Sequence, residues 1–206
     1  TRGTFSFSAT DPTVAGVTSG VDRYECAVDG GSFVPCISPF TTSVLAEGSH
    51  TFAARAIDRA GNTGTAATTT WSIDLTAPTV SLSPQNPTSP TALTAMTFSF
   101  SASDPGSGGV SSGVASLQCS LDGAAFATCT SPRSVSVTEG SHTFSVRALD
   151  AAGNTSVASA ATWNVDLTKP TVSIGGGPAT SPTASAAATF TIAASDPTGG
   201  PHGSGR

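Results

Sequence analysis

The chain repeats itself at long range, and that repeat limits its fold more than any other feature. Thr4-Phe5-Ser6-Phe7-Ser8-Ala9 returns as Thr97-Phe98-Ser99-Phe100-Ser101-Ala102, 93 residues later. Cys26 and Cys36 return as Cys119 and Cys129 at the same offset. Glu47-Gly48-Ser49-His50-Thr51-Phe52 returns as Glu139-Gly140-Ser141-His142-Thr143-Phe144 at an offset of 92, and Trp71 and Asp74-Leu75-Thr76 return as Trp163 and Asp166-Leu167-Thr168. A period this long means one compact domain copied along a chain, not a short solenoid unit.

The repeat divides the chain into three parts. Residues 1–76 read as a first copy lacking its first strand, 77–168 as a complete second copy, and 169–206 as the N-terminal part of a third. The chain therefore reads as a segment of a longer polypeptide. A complete copy is long enough to bury one modest core. The third part carries only its first two strands, which cannot bury a core alone, so residues after about Pro178 are expected to be mobile or wrongly packed.

Apolar and polar residues alternate through most segments, the period-two signature of half-buried strands. In the second copy Phe98, Phe100 and Ala102 share one face, as do Leu117, Cys119 and Leu121, then Phe144, Val146 and Ala148, then Trp163, Val165 and Leu167. The first copy gives the same faces, including Phe52/Ala54/Ala56 and Trp71/Ile73/Leu75. Asp122-Gly123 marks a hairpin. Pro84 to Pro90 cannot donate a regular ladder and is placed at a sheet edge, crossing from one sheet to the other. No window shows a useful helical period. The expectation is an all-β chain of tandem seven-stranded antiparallel Greek-key sandwiches of the Ig-like kind, with Phe98, Phe100, Phe144 and Trp163 in the core.

Gly140-Ser141-His142-Thr143-Phe144-Ser145-Val146-Arg147-Ala148-Leu149-Asp150-Ala151-Ala152-Gly153-Asn154 resembles the penultimate strand and turn of bacterial immunoglobulin-like repeats. So do Cys119-Ser120-Leu121-Asp122-Gly123 and the closing Asp166-Leu167-Thr168-Lys169-Pro170. The resemblance covers the second copy fully, the first bar its first strand, and the third to about Pro197, after which the glycine-rich end departs from it. It implies tandem modules of large secreted or surface-attached bacterial proteins, related in architecture to fibronectin type III modules. It implies a spacer and adhesion role and no chemistry.

The four cysteines form two pairs, each straddling an Asp-Gly turn, so Cys26 is expected opposite Cys36 and Cys119 opposite Cys129. Buried thiols or zinc ligands are the alternatives. Zinc sites usually show C-x₂-C spacing, and no histidine is placed to complete one. Disulfides closing such short loops are worth about 2.5 kcal/mol in the chain-entropy model and imply an oxidising, extracellular compartment.

Charge excludes one class of partner. The eight basic residues include a single lysine, Lys169, and the net charge is −5, whereas nucleic acid demands clustered Lys and Arg. No apolar run approaches the roughly 18–20 residues that cross a bilayer, so no membrane insertion is expected. No catalytic residue is expected either. Gly109-Val110-Ser111-Ser112-Gly113 fits G-x-S-x-G, but it lies in a loop before a strand, not at a strand-to-helix elbow, and the first copy has Thr18 in the serine's place. His50 and His142 have no evident nucleophile and read as hydrogen-bonding groups at a strand end. Arg55 and Arg147 read as solvated strand positions.

The aspartates admit two readings. Stacked copies would bring Asp74 toward Asp104 and the Asp150/Asn154 turn, an oxygen-only set suited to Ca²⁺, with Asp166 and Asp196 starting the next such set. The other reading is that Asp-Pro and Asp-Ala-Ala-Gly are turn formers, each Asp capping its own loop. The expected function is a structural spacer and adhesion-type segment whose partners are neighbouring repeats. The alternatives are direct binding of a host or surface glycan or protein, or an accessory segment of a secreted hydrolase.

Overall fold

Alternating side chains place the strands, and turn chemistry ends them. The computed structural model describes residues 2–177, 184 and 186–196, and among these every regular element is a strand. The chain forms two compact units.

The first unit comprises Thr1–Pro78 together with Ser103–Val114 and Asp150–Thr155. Its strands are β1 (Thr4–Phe5), β2 (Val21–Val28), β3 (Val34–Cys36), β4 (Phe40–Thr41), β5 (Gly48–Asp58) and β6 (Ala67–Ile73). They form an antiparallel four-stranded sheet, β3-β2-β5-β6, and a pair, β1-β4. Buried Cys26, Phe52 and Ala54 make the core, with Phe5, Phe7, Phe40 and Trp71 packed against it. Phe5 stacks on Phe52 with ring centroids 4.4 Å apart, an arrangement worth more than its area alone.

The second unit comprises Thr79–Ala102, Ala115–Leu149 and Ser156–Arg206. Its strands are β7 (Thr79–Ser83), β8 (Ala95–Ser103), β9 (Val114–Leu121), β10 (Ala127–Thr128), β11 (Arg133–Ser136), β12 (Gly140–Asp150), β13 (Ser159–Val165), β14 (Thr171–Gly176) and β15 (Phe190–Ser195). Sheets β10-β9-β12-β13 and β11-β8-β7 are the two leaves of the seven-stranded Ig-like sandwich, and β14-β15 is a separate ribbon. Phe98, Phe144 and Trp163 are at most 1 % exposed, with Phe98 stacked on Phe144 at 4.4 Å. The proline-rich segment leaves β7 in one leaf and reaches the other at Thr91, whose N–H donates to Asn164 O and whose carbonyl accepts from Asp166 N.

Both hairpin turns are of the type favoured between twisted strands. Asp29 and Gly30 have φ of +52° and +69°, and Asp122 and Gly123 +52° and +75°. Gly31 N–H donates to Val28 O, and Ala124 N–H to Leu121 O. Two successive positive φ values define a type I′ turn, where Asp-Gly is a preferred pair.

Two expectations change. Leu75 and Leu167 do not continue the inward face of the last strands; β6 stops at Ile73 and β13 at Val165, and the leucines are 53 % and 44 % exposed. The cause is local: Asp74 Oδ1 accepts Thr76 N–H, and Asp166 Oδ1 accepts Thr168 N–H, closing Asx turns that end each strand. In the third part, β14 and β15 pair in full register from Thr171↔Ser195 to Gly176↔Phe190. The expected mobility after Pro178 otherwise concerns residues 178–183, 185 and 197–206, which lie outside the described residues.

Candidate functional site

The Asp-Pro and Asp-Ala-Ala-Gly sequences first act on their own loops. Asp11 Oδ2 accepts Gly20 N–H at 2.8 Å and the Thr18 hydroxyl at 2.9 Å. Asp104 Oδ2 accepts Gly113 N–H and the Ser111 hydroxyl, each at 2.8 Å. Asp58 Oδ1 accepts Asn62 N–H at 2.8 Å, and Asp150 Oδ1 accepts Asn154 N–H at 2.7 Å. A short carboxylate side chain pulls the chain back over itself in each case. These bonds hold Asp11 and Asp58 below the ordinary carboxylate pKa, through the Thr18 hydroxyl first for Asp11 and the Asn62 amide first for Asp58.

Within the first unit a third carboxylate joins the second pair. One oxygen from each of Asp74, Asp104 and Asp150 lies within 4.8 Å of the others. Asp74 and Asp150 are buried, at 8 % and 3 % exposure. Asp74 Oδ2 accepts Ser112 N–H at 2.7 Å and its Oδ1 accepts Thr76 N–H. Hydrogen bonding by Ser112, its hydroxyl first and then its N–H, holds the Asp74 carboxyl below the usual range, so it is ionised at neutral pH. Asp104 Oδ1 is enclosed and has no hydrogen-bond partner. Asn154 turns its amide nitrogen inward, donating to Asp150 Oδ2 at 2.7 Å and Asp74 O at 3.1 Å, so it acts as a donor to the cluster. An open cavity of about 440 Å³ lined by Asp74, Ser111 and Ser112 adjoins this group.

Glu47 belongs to the same surroundings, and the sequence reading missed it. Its carboxylate accepts the Thr76 hydroxyl at 2.8 Å and Ser107 N–H at 3.0 Å. Glu139 accepts the Thr168 hydroxyl in the same way, at 2.9 Å. The return of Glu47 as Glu139 was the available signal.

The cysteines form two disulfides, Cys26–Cys36 and Cys119–Cys129, each with Cα atoms 5.8 Å apart. Their register differs from the expected direct opposition. Cys26 lies opposite Val34 and Cys36 opposite Tyr24, while Cys119 lies opposite Ala127. The type I′ turn closes the hairpin too early for the cysteines to face one another, so the bridge runs diagonally on one face.

His50 Nδ1 lies 2.8 Å from Asp29 Oδ2, and its Nε2 lies 3.1 Å from Ala46 O. Both ring nitrogens meet acceptors, an arrangement that only the doubly protonated ring satisfies. The Asp29 bond first, and Ala46 O second, raise the His50 pKa. Asp29 is held low, by Thr51 N–H first and then His50. His142 repeats the contacts with Asp122 Oδ2 at 2.9 Å and Thr138 O at 3.0 Å. Each ring lies against the tryptophan of its own copy, His50 on Trp71 and His142 on Trp163, so it joins turn, strand and core. Ser111 sits in a loop, its hydroxyl donating to Asp104. Arg55 is not merely solvated: it lies 4.1 Å over the Phe33 ring and donates to Glu25 Oε2 through Nε and Nη2. Arg147 lies 4.2 Å over Phe126 and donates to Gln118.

No described helix is long and apolar enough to cross a membrane. No curated protein matches the sequence. Among solved structures, the chain is similar to the fibronectin(III)-like modules of CbhA from Clostridium thermocellum, at 17 % identity and a TM-score of 0.41, covering 80 % of this chain and 84 % of that one. The sequence model of the bacterial Ig-like domain (group 3) family matches residues 37–97. By that match, over part of its length, the chain is similar to bacterial Ig-like domains, and the two-leaf sandwich of β7 to β13 has the Ig-like architecture.

Proposed function

We propose that the chain is a non-catalytic spacer segment of a large secreted or cell-surface bacterial protein, carrying adhesion-type modules at a distance from their anchor. The observation that supports it best is the filled interior of the repeat: Phe98, Phe144, Val146 and Trp163 are all at most 1 % exposed, and a disulfide pins the neighbouring hairpin. Such a unit offers stiffness and shape. Repeats 1–76, 77–168 and 169–206 would follow one another through Thr76-Ala77-Pro78 and Thr168-Lys169-Pro170, where proline restricts the residue before it. Disulfides favour an oxidising compartment. The role is tested by exchanging the segment, in its parent polypeptide, for an unrelated sandwich array of equal length. Function should survive the exchange, and its loss would remove the spacer reading.

A second reading, direct binding of a glycan or protein, draws on the recurring Arg55/Phe33 and Arg147/Phe126 pairs. Saturable binding of the isolated chain to an array of glycans, abolished by Phe126→Ala, would favour it over the spacer role.

The Asp74, Asp104 and Asp150 carboxylates would hold Ca²⁺, the enclosed Asp104 Oδ1 being an oxygen that lacks any other partner. Calcium takes 6–8 oxygens, so water or carbonyl groups would complete the set. At a hundredfold excess over Kd the ion would add about 2.7 kcal/mol of stability. Thermal unfolding with Ca²⁺ and with chelator should differ, and the difference should vanish in Asp104→Asn; identical midpoints in the unmodified chain would end the proposal.

A further inference from the structure

The outer faces of the two four-stranded sheets differ by one charge. In the second copy Phe144 and Val146 of β12 are buried, so alternation turns Ser145 and Arg147 outward. Arg147 lies 4.2 Å over the half-buried Phe126 ring and donates through Nε to Gln118 Oε1 at 2.9 Å. Its two Nη groups have no hydrogen-bond or ion-pair partner among the described residues. The ring below and the Nε bond hold the guanidinium plane in place, so a ligand meets an ordered fork of donors.

In the first copy the same position is neutralised. Arg55 lies 4.1 Å over Phe33 but donates through Nε and Nη2 to Glu25 Oε2, at 3.0 and 2.7 Å. Glu25 and Gln118 are corresponding residues, 93 positions apart. Exchange of a carboxylate for an amide therefore uncovers a positive charge in the second copy alone. The ground around it is polar. Thr128 pairs with Gln118 across β9 and β10, and Ser145 and Thr162 face the same way from β12 and β13. Asp150, which closes β12, is buried and bonded to Asn154.

We infer that this face of the second copy binds a carboxylate-bearing sugar of an acidic polysaccharide. The Arg147 Nη groups donate to the sugar carboxylate, a planar pairing of fork with fork, and the neighbouring hydroxyls meet those of the sugar ring. Charge complementarity selects an anion, and the hydroxyls beside Arg147 favour a sugar over an acidic peptide. The inference rests on the direct-binding reading and names its ligand class; it is separate from the spacer role and from calcium.

Oligogalacturonate and its methyl ester share a backbone and differ in the carboxylate. Calorimetric titration of the full chain, with chelator present so that calcium forms no bridge, should show saturable binding of the free acid at a single site. The ester should bind at least about tenfold more weakly. Arg147→Gln should weaken binding of the acid to the same degree. Gln118→Glu keeps Arg147 and rebuilds the neutral pair of the first copy, so it should do likewise, while Glu25→Gln should add a second site. Equal binding of acid and ester, or binding that Gln118→Glu leaves unchanged, would overturn the inference and leave direct binding standing. Tighter binding of polyglutamate than of the acidic sugar would overturn the sugar assignment. Absence of binding to these ligands and to the glycan array would remove the direct-binding reading together with the inference.

Discussion

His50 shows how one side chain can tie a turn, a strand and a core together. Its raised pKa means the folded state binds the proton more tightly than the unfolded one. Its contribution is therefore complete below the ordinary histidine value of 6.5 and is lost as pH rises through the raised value. Asp29, held low, contributes above its ordinary 3.8 and loses that contribution as pH falls through its lowered value. Stability of the first copy should thus decline as pH rises above the ordinary histidine value of 6.5, and His50→Gln should flatten that decline. Denaturant unfolding at intervals from about pH 5 to pH 9 checks it, since that span brackets the ordinary histidine value. An unchanged slope in His50→Gln would assign the pH dependence elsewhere. The sequence showed this histidine at a strand end with no nucleophile, but its partner Asp29 was legible only as a turn residue. The pairing crosses 21 residues and depends on how two strands align.

At the scale of the element, the hairpin carries the same lesson. Asp-Gly predicts the turn because both residues accept positive φ, a property of the dipeptide itself. It does not predict that the turn closes at Val28/Gly31 and leaves the disulfide diagonal. The bridge is nonetheless expected to stabilise. Replacing Cys119 and Cys129 by Ala should cost about 2.5 kcal/mol, read from chemical unfolding beside the oxidised chain. A cost near zero would mean that the β9–β10 hairpin is held by its turn and its register alone. The ends of β6 and β13 were also misjudged. Alternation ran on to Leu75 and Leu167, and the Asx turns at Asp74 and Asp166 stopped it. Side-chain capping competes with a strand ladder over two or three residues, a distance at which hydrophobic periodicity has no resolving power.

Across the whole molecule, the two copies have unequal cores. Leu82, Phe98, Val146 and Trp163 are all buried in the second, whereas Phe5, Phe7 and Trp71 in the first remain half-buried. The first copy should therefore unfold at lower denaturant. The chain has two tryptophans, so Trp71→Phe and Trp163→Phe each leave one reporter, and the transition seen from Trp71 should come first. Coincident transitions would show the copies melting as one. Phe98→Ala should cost about 3–5 kcal/mol, because its ring is fully buried against Phe144 and its loss leaves a cavity.

By itself the sequence determined the repeat, the strand faces, the hairpin turns and the aromatic core, because each is written in local period or in a residue's own φ preference. The tertiary structure alone decided the diagonal register of the cysteines, the meeting of Asp74 with Asp104 and Asp150, and the hold of Asp29 on His50. Those features join residues tens of positions apart. Their geometry follows from twist, turn closure and the packing of one segment on another, none of which any short window of the chain encodes.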